Sequence, residues 1–247
     1  MKIIKNVGGA LWALWGILTF ALTLLIIIIP VLITFLVKEP HGTEVYRQIT
    51  KVWMNVWLAL IGSPLKVVGK EHFKKGKNYV VVSNHNSLMD VPVTTPFVPG
   101  ANKTIGKKSF TKAPIFGWVY IRGTVLVDRK SEASRRKSFE DMKKVLAQGL
   151  HMVIYPEGTR NRTTDPLKSF HDGAFKLAIA AQKEIIPTLI FNTKTVLPPE
   201  KTFYMRPHRL EMHFLPAVSA ENITSKELRE KVFKIMWDYF EEHSRNK

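Results

Sequence analysis

The strongest constraint on this 247-residue chain is a run of about 32 residues without a charged side chain, residues 6–37. A helix that crosses a bilayer needs roughly 20 apolar residues. The run is therefore long enough for one tilted span, or for a hairpin broken at Pro30, whose ring removes a helix hydrogen bond. Trp12 and Trp15 suit a membrane interface. The run is too long for a signal peptide. We predict a membrane anchor, with a buried core helix as the alternative.

A second helix is predicted over residues 44–62, where apolar side chains recur at helical spacing. Arg47 and Lys51 lie among them, and a basic amphipathic helix of this kind fits a membrane interface, a core-packing helix being the alternative. Gly62-Ser63-Pro64 ends the pattern. We therefore expect membrane-anchoring helices over residues 1–62 and a globular domain over residues 63–247.

Beyond this boundary, short β-branched runs alternate with amphipathic segments. Alternation of this kind predicts an α/β fold, here a mixed twisted sheet flanked by helices and preceded by the N-terminal helical membrane anchor. The predicted strands are residues 65–68, 79–83, 124–127, 152–155, 185–191 and 210–215, and the clearest predicted helices are residues 131–148, 174–182 and 225–240.

The charge balance points to an anionic partner. Lys and Arg number 37 against 20 Asp and Glu, a net charge of +17, which favours anionic lipid, nucleic acid or a phosphorylated or acidic carrier substrate. The apolar N-terminus favours membrane lipid over nucleic acid. Because the chain has no Cys, it has no thiol nucleophile and no Cys-ligated metal. His151, His171, His208 and His213 lack ligand spacing, so we expect no metal.

The strand predicted at residues 79–83 is followed by a small polar loop that carries His85 and, five positions on, Asp90. Open α/β sheets place their sites where a strand end leads into a helix. His85 can act as a general base whose ring Asp90 orients. The pair alone is weak evidence, because Asp90 can equally cap a helix and His85 can be an ordinary loop residue.

A second polar turn, Glu157-Gly158-Thr159-Arg160, directly follows another predicted strand. It combines a carboxylate, a flexible Gly, a hydroxyl and a guanidinium, and it can present backbone N–H groups and a fork-shaped cation to a phosphate. The alternative is a polar surface turn. A specified tetrapeptide is more informative than the His/Asp pair.

Together these motifs resemble the glycerolipid acyltransferase family, most closely the 1-acyl-sn-glycerol-3-phosphate acyltransferases. Further segments follow in the order typical of that family. The segments that carry the resemblance are residues 84–90, 106–108, 116–118, 123–129, 155–160, 170–175 and 186–187. Leu126 and Asn192 depart from the family pattern and leave the exact acceptor open.

The resemblance implies transfer of a fatty acyl group from an acyl thioester, on acyl-carrier protein or coenzyme A, to the sn-2 hydroxyl of lysophosphatidic acid, giving phosphatidic acid. His85 would deprotonate the hydroxyl and Asp90 would fix the imidazole tautomer. No Gly-x-Ser-x-Gly motif is present, so direct attack is expected without an acyl-enzyme. No cofactor is expected beyond the acyl-CoA or acyl-carrier co-substrate.

The substrate-binding residues implied by the resemblance are cationic or lie in the polar turn. Lys107 would stabilise the developing oxyanion or bind phosphate. Arg129 and Arg160 would bind the acceptor phosphate, and Glu157 would orient the acceptor or these cations. Gly158 would allow close backbone approach, and the hydroxyl of the next residue, Thr159, would complete the turn.

Three alternatives remain at this point. The acceptor can be a lyso-aminolipid such as lyso-ornithine lipid, or glycerol 3-phosphate. The chain can also be a membrane-tethered basic module that binds without catalysis. If the chain is an enzyme, the expected location is the inner (cytoplasmic) membrane with the active site facing the cytoplasm. The expected partners are a lysophospholipid, the acyl donor and membrane lipids, not nucleic acid.

Overall fold

The computed structural model describes residues 2–245, which form a seven-stranded sheet covered by helices on both faces. The strands are β1 (Leu65–Val68), β2 (Val80–Ser83), β3 (Asn102–Lys107), β4 (Thr124–Val127), β5 (His151–Ile154), β6 (Ile185–Phe191) and β7 (Leu210–Phe214). The helices are α1 (Lys2–Ile33), α2 (His41–Leu60), α3 (Asp90–Thr94), α4 (Phe116–Arg122), α5 (Glu132–Ala147), α6 (Gly173–Ala180), α7 (Thr193–Val196) and α8 (Ser225–Arg245).

The sheet order is β1-β7-β6-β2-β5-β3-β4, and every neighbouring pair is parallel except β6 and β7. The predicted mixed α/β sheet is therefore confirmed. The parallel strands β6, β2 and β5 are neighbours in the middle of the sheet, and every residue in them is buried. Their sequences are accordingly mostly apolar runs instead of alternating ones, whereas β3 alternates between buried and partly exposed residues.

Each face of the sheet has its own hydrophobic cluster, because successive strand side chains point to opposite sides. Val81 packs with Trp53 and Leu58 in the cluster beneath α1 and α2. Val80 and Val82 pack in the cluster beneath α5, α6 and α8. Helices α1 and α2 share this cluster with the sheet, so the packing marks no boundary at residue 62. The division into residues 1–62 and 63–247 stays a prediction.

Helices α1 and α2 form an antiparallel pair. Helix α1 continues through Pro30, so the alternative of a hairpin broken at that residue is wrong. Indole N–H groups join the two helices: Trp57 Nε1 donates to Gly16 O (3.0 Å) and Trp12 Nε1 donates to Ile61 O (3.1 Å). Trp15 Nε1 likewise donates to Leu60 O (2.9 Å). Trp12 and Trp15, for which the sequence predicted a place at the membrane interface, thus donate to the carboxyl end of α2.

The outward side of this pair exposes large aliphatic side chains. Of the helices described, only α1 is long and apolar enough to cross a bilayer, by length and composition alone. Its most exposed large side chains are Leu11, Leu22, Ile26 and Ile29, and α2 adds Val52 and Val56. A continuous exposed apolar surface of this kind marks an interaction site in a folded protein.

A buried ion pair holds the α1–α2 connection to the body of the protein. Arg122, at the end of α4 and 5% exposed, donates from Nη1 to Glu39 Oε1 (2.8 Å) and to Thr43 Oγ1 (3.0 Å). Lys103 Nζ lies 3.3 Å from the same Glu39 oxygen. Partial burial alone would raise the pKa of Glu39, but hydrogen bonds from Arg122 and Thr43 outweigh it and hold the pKa at about 2.

We expect Arg122→Met to lower the free energy of unfolding by about 1.5–3 kcal/mol, because it removes the charge-assisted hydrogen bond to a partly buried carboxylate that keeps Lys103 and Thr43 as partners. Equilibrium denaturation of the detergent-solubilised chain measures the change. Arg136→Met is the matched control, because its ion pair with Glu132 is exposed and should contribute no more than about 1 kcal/mol. Equal losses in the two variants would contradict the role of the buried pair.

Candidate active site

The residues predicted to form the site follow four strands that are neighbours in the sheet. His85 follows β2, Glu157 and Gly158 follow β5, Lys107 ends β3, and Arg129 follows β4. These strands stand in the order β2-β5-β3-β4 and are all parallel. Their carboxyl ends therefore meet at one edge of the sheet, the usual place for a site in an open α/β fold.

His85 and Asp90 are in direct contact at this edge. His85 Nδ1 lies 2.8 Å from Asp90 Oδ2, and the His85 side chain is 18% exposed while that of Asp90 is fully buried. With Nδ1–H donating to the carboxylate, Nε2 carries the lone pair. The ring can therefore accept a proton at Nε2 from a group that arrives from solvent.

The buried carboxylate of Asp90 also shapes the loop. Its Oδ2 accepts backbone N–H bonds from Asn86 (2.5 Å) and Ser87 (2.7 Å). Asp90 makes no side-chain cap on α3, where Met89 is the N-cap residue. The capping alternative is therefore wrong, because the carboxylate turns back to the preceding loop, where charge-assisted bonds offset its burial.

Tyr155, which the sequence analysis did not assign to the site, supports the His85 ring. The two ring centroids are 4.6 Å apart with an interplanar angle of 31°. Tyr155 Oη donates to Thr94 Oγ1 (3.1 Å) on α3. Burial raises the pKa of Tyr155, so the phenol stays neutral. A tyrosine after a strand gives no signal of this contact, which depends on the pairing of β2 with β5.

Two further polar residues of the β2 loop hold it against β6 and α7. Asn84 donates from Nδ2 to Ile190 O (3.0 Å) and accepts from Ile190 N–H at Oδ1 (2.7 Å). Ser87 Oγ donates to Leu197 O (2.7 Å). The Asn84 side chain thus bonds to both the N–H and the C=O of Ile190. The Ser87 hydroxyl is directed into the protein.

Glu157 joins the β2 loop to the β5 loop. It is fully buried, and its two oxygens accept backbone N–H bonds from His85 (2.8 Å) and Lys168 (3.2 Å). The sequence predicted that Glu157 orients the acceptor or the cations; neither bond reflects that role, which stays a prediction. Burial and, less strongly, the charge of Asp90 raise the pKa of Glu157 to about 7, although the backbone bonds oppose the shift.

The polar turn after β5 meets Arg129 across the end of β3. Arg129 Nη1 donates to Gly158 O, and Arg129 is exposed. Gly158 has a φ of 69°, a left-handed conformation that glycine adopts at little cost. Lys107 pairs with Val127 in the β3–β4 ladder, which places it at the strand end beside Arg129. It too is exposed.

The remaining two residues of the turn are Thr159 and Arg160. Thr159 is exposed, and its Oγ1 accepts from Lys168 Nζ (2.8 Å). Arg160 is half-buried, and the next residue, Asn161, donates its backbone N–H to His85 O (2.6 Å). The turn is therefore bonded to the His85 loop at two points, through Glu157 and through Asn161.

A separate group of potential metal ligands lies on another part of the sheet. The side chains of Glu211, His213 and His243 come within 4.8 Å of one another. No metal was expected at His213, because this histidine and the three others considered with it lack ligand spacing. Only the packing of α8 on β7 brings the three together.

Comparison with known proteins supports the resemblance. The Acyltransferase family model matches residues 64–191. The chain is 30% identical over 191 residues to the 1-acyl-sn-glycerol-3-phosphate acyltransferase of Saccharomyces cerevisiae, covering 75% of this chain and 61% of that protein. It is 31% identical over 167 residues to the 1-acyl-sn-glycerol-3-phosphate acyltransferase alpha of Mus musculus, covering 67% of this chain and 58% of that protein.

The fold has also been observed in a crystal structure. The 1-acyl-sn-glycerophosphate (LPA) acyltransferase PlsC from Thermotoga maritima superposes with a TM-score of 0.83 over 99% of this chain and 98% of that one, at 23% identity. The chain spans about three fifths of the length of the curated relatives named above. Because the family model matches more than half of its residues, the chain belongs to the acyltransferase family.

Proposed function

We propose that this protein transfers a fatty acyl group from an acyl thioester to the sn-2 hydroxyl of lysophosphatidic acid and so makes phosphatidic acid. The observation that carries the proposal is the 2.8 Å contact between His85 Nδ1 and the buried Asp90 carboxylate, at a sheet edge where cations also gather. The names of the relatives support the same acceptor.

In this mechanism His85 is a general base. Its Nε2 takes the proton from the acceptor hydroxyl as the oxygen attacks the thioester carbonyl. Asp90 holds the ring in the required tautomer and stabilises the imidazolium that forms. Collapse of the tetrahedral intermediate expels the thiolate, which receives from Nε2 the proton that came from the acceptor hydroxyl. Atoms and charge balance without any further co-reactant, so no cofactor is required beyond the acyl thioester.

The structure supports direct attack over an acyl-enzyme route. The chain has no Cys, and the two hydroxyls nearest to the base in sequence both donate to backbone carbonyls: Ser83 Oγ to Asn84 O (3.3 Å) and Ser87 Oγ to Leu197 O (2.7 Å). A serine nucleophile needs its hydroxyl bonded to the base. The base would therefore act on the acceptor hydroxyl itself.

The acceptor phosphate would bind on the cationic side of the site. Arg129, Arg160 and Lys107 lie on adjacent strand ends or on the turn bonded to the His85 loop, and a guanidinium can bind a phosphate through two parallel hydrogen bonds. Lys107 would stabilise either this phosphate or the oxyanion of the intermediate. Gly158 and Thr159 would provide the floor of this phosphate site.

The exposed apolar side of α1 and α2 would dock on the membrane that holds the lipid substrates. Helix α1 packs against α2 along its length, through Trp57 and Trp12 among others, so docking with the pair lying at the surface preserves these contacts. The net charge of +17 would favour anionic lipid and an acidic carrier protein as donor. The inner membrane, with the site facing the cytoplasm, is the proposed location.

We expect His85→Ala to lower kcat by roughly 10²–10⁴-fold, the usual contribution of a general base. The measurement is transfer of labelled acyl groups to lysophosphatidate in detergent or vesicles. His208→Ala is the control, because this histidine is exposed on a loop. Vesicle binding should survive in both variants. Undiminished turnover in the His85 variant would contradict the hypothesis that this protein catalyses acyl transfer through His85, and it would favour a binding module.

The same assay decides the acceptor and the donor. Three acceptors are compared: lysophosphatidate, glycerol 3-phosphate and lyso-ornithine lipid. Each is tested with two donors, acyl-CoA and the acyl thioester of acyl-carrier protein. We expect lysophosphatidate to give the highest kcat/KM. A higher value for lyso-ornithine lipid, which lacks the phosphate, would contradict the phosphate-binding role of the arginines while leaving the role of His85 intact.

The raised pKa of Glu157 predicts a pH-dependent loss of stability. Between 4.5 and about 7 the folded state holds a proton that the unfolded state has released, so the contribution of Glu157 to the free energy of unfolding falls as pH rises. The stability of the wild type relative to Glu157→Gln should therefore fall by roughly 2–3 kcal/mol between about pH 5 and pH 8.

Denaturant unfolding at the two pH values measures this difference. Glu200→Gln, which changes an exposed glutamate, is the control and should show no comparable trend. A wild-type-to-variant difference for Glu157→Gln that stays constant with pH would show that this carboxylate does not titrate as its burial requires.

Charges placed on the apolar side of α1 should abolish membrane association. Ile26 and Ile29 are 74% and 67% exposed, so Ile26→Glu/Ile29→Glu leaves the packed side of the helix unchanged. Flotation with vesicles of neutral or anionic lipid measures binding, and we expect wild type to float, more strongly with anionic lipid. Val68→Glu, on edge strand β1, is the control. Flotation of the double variant at the wild-type level would refute this docking surface.

A further inference from the structure

Strand β7 and helix α8 bring together three side chains that can ligate a metal. Glu211 and His213 are two residues apart on β7 and so point to the same face. Helix α8 packs over this face and contributes His243. The three side chains are 13%, 6% and 22% exposed, respectively. In the sheet, β6 separates β7 from β2, the strand that leads to His85.

The distances between the potential ligand atoms fit a small coordination sphere. Glu211 Oε2 lies 3.3 Å from His213 Nε2 and 3.1 Å from His243 Nε2. A tetrahedral zinc ion, with bonds of about 2.0–2.1 Å to nitrogen and oxygen, separates its ligand atoms by about 3.3 Å. One carboxylate oxygen thus stands at the edge length of such a tetrahedron from each of two imidazole nitrogens.

The surroundings also resemble those of a metal site. Tyr239 Oη lies 2.8 Å from His213 Nδ1, and a hydrogen bond at the second nitrogen is what usually orients a metal-binding imidazole. The His243 ring packs 4.4 Å from that of Phe191 and stacks on Tyr239 at an interplanar angle of 7°. Both imidazoles are therefore held in place, while the partial exposure of His243 leaves a route for an ion.

The geometry points to a binding site for a zinc-like divalent transition metal formed by Glu211, His213 and His243, with solvent as a further ligand. Two imidazoles and one carboxylate are a typical zinc set, whereas magnesium and calcium prefer oxygen ligands alone. The site is independent of the acyl-transfer mechanism. A bound ion would tie the last turns of α8 to β7.

Titration of the full-length chain with ZnCl₂ or CoCl₂ tests the site, with the protein purified in detergent without a polyhistidine tag. We expect one Zn²⁺ per chain and, with Co²⁺, the visible absorption of four-coordinate geometry. At zinc concentrations about 100 times Kd, Tm should rise by roughly 5–10 °C. CaCl₂ at the same concentrations should leave Tm unchanged.

The variants separate this site from other histidines. His243→Gln and Glu211→Gln each remove a ligand and should weaken zinc binding by more than the roughly 10–100-fold typical of a lost outer-shell partner. Tyr239→Phe should fall within that range. The controls His208→Gln and His85→Ala should bind as wild type does. Absence of zinc binding in wild type, or equal binding in His243→Gln, would overturn the site and show a hydrogen-bonded triad only.

Discussion

The site depends on one buried carboxylate. Asp90 Oδ2 accepts from the His85 ring and from two backbone N–H groups of the loop between them. A buried carboxylate needs hydrogen bonds to replace the water it has lost, and three groups of this loop supply them at Oδ2, so the loop must keep this shape to satisfy that oxygen. Folding of the loop and orientation of the imidazole are consequently the same event, and the ring loses little freedom when substrate arrives.

A second buried carboxylate, Glu157, extends this arrangement to the neighbouring strand. It accepts from the backbone N–H of His85 itself, so the proposed general base is held at its side chain by Asp90 and at its main chain by Glu157. The two carboxylates are close enough for the charge of Asp90 to raise the pKa of Glu157. The site thus keeps two acidic groups near each other, and backbone donors from two loops only partly oppose the rise in the pKa of Glu157.

Sequence reasoning predicted what depends on local chemistry. Strands β1, β4 and β6 were predicted to the residue, because their β-branched runs are bounded by turn residues, and the His85–Asp90 pair was predicted from a motif. Tyr155, the burial of Glu157 and the cluster around Glu211 were not, because each depends on which strands pair or on how α8 packs. The strand order β2-β5-β3-β4 likewise cannot be predicted from the sequence of each strand. This order is what brings Arg129 to Gly158.

The same topology links the apolar helices to the cationic side of the site. Arg122, which holds Glu39 in the α1–α2 connection, ends α4, and the chain then passes through β4 directly to Arg129. A short rigid strand therefore separates the contact with the helix pair from the guanidinium proposed to bind phosphate. If the helix pair lies on a bilayer, the ion pair fixes the height of Arg129 above it, and a headgroup phosphate has to be met at that height. Membrane docking and acceptor binding are then coupled by the eight residues from 122 to 129, and not by a flexible linker.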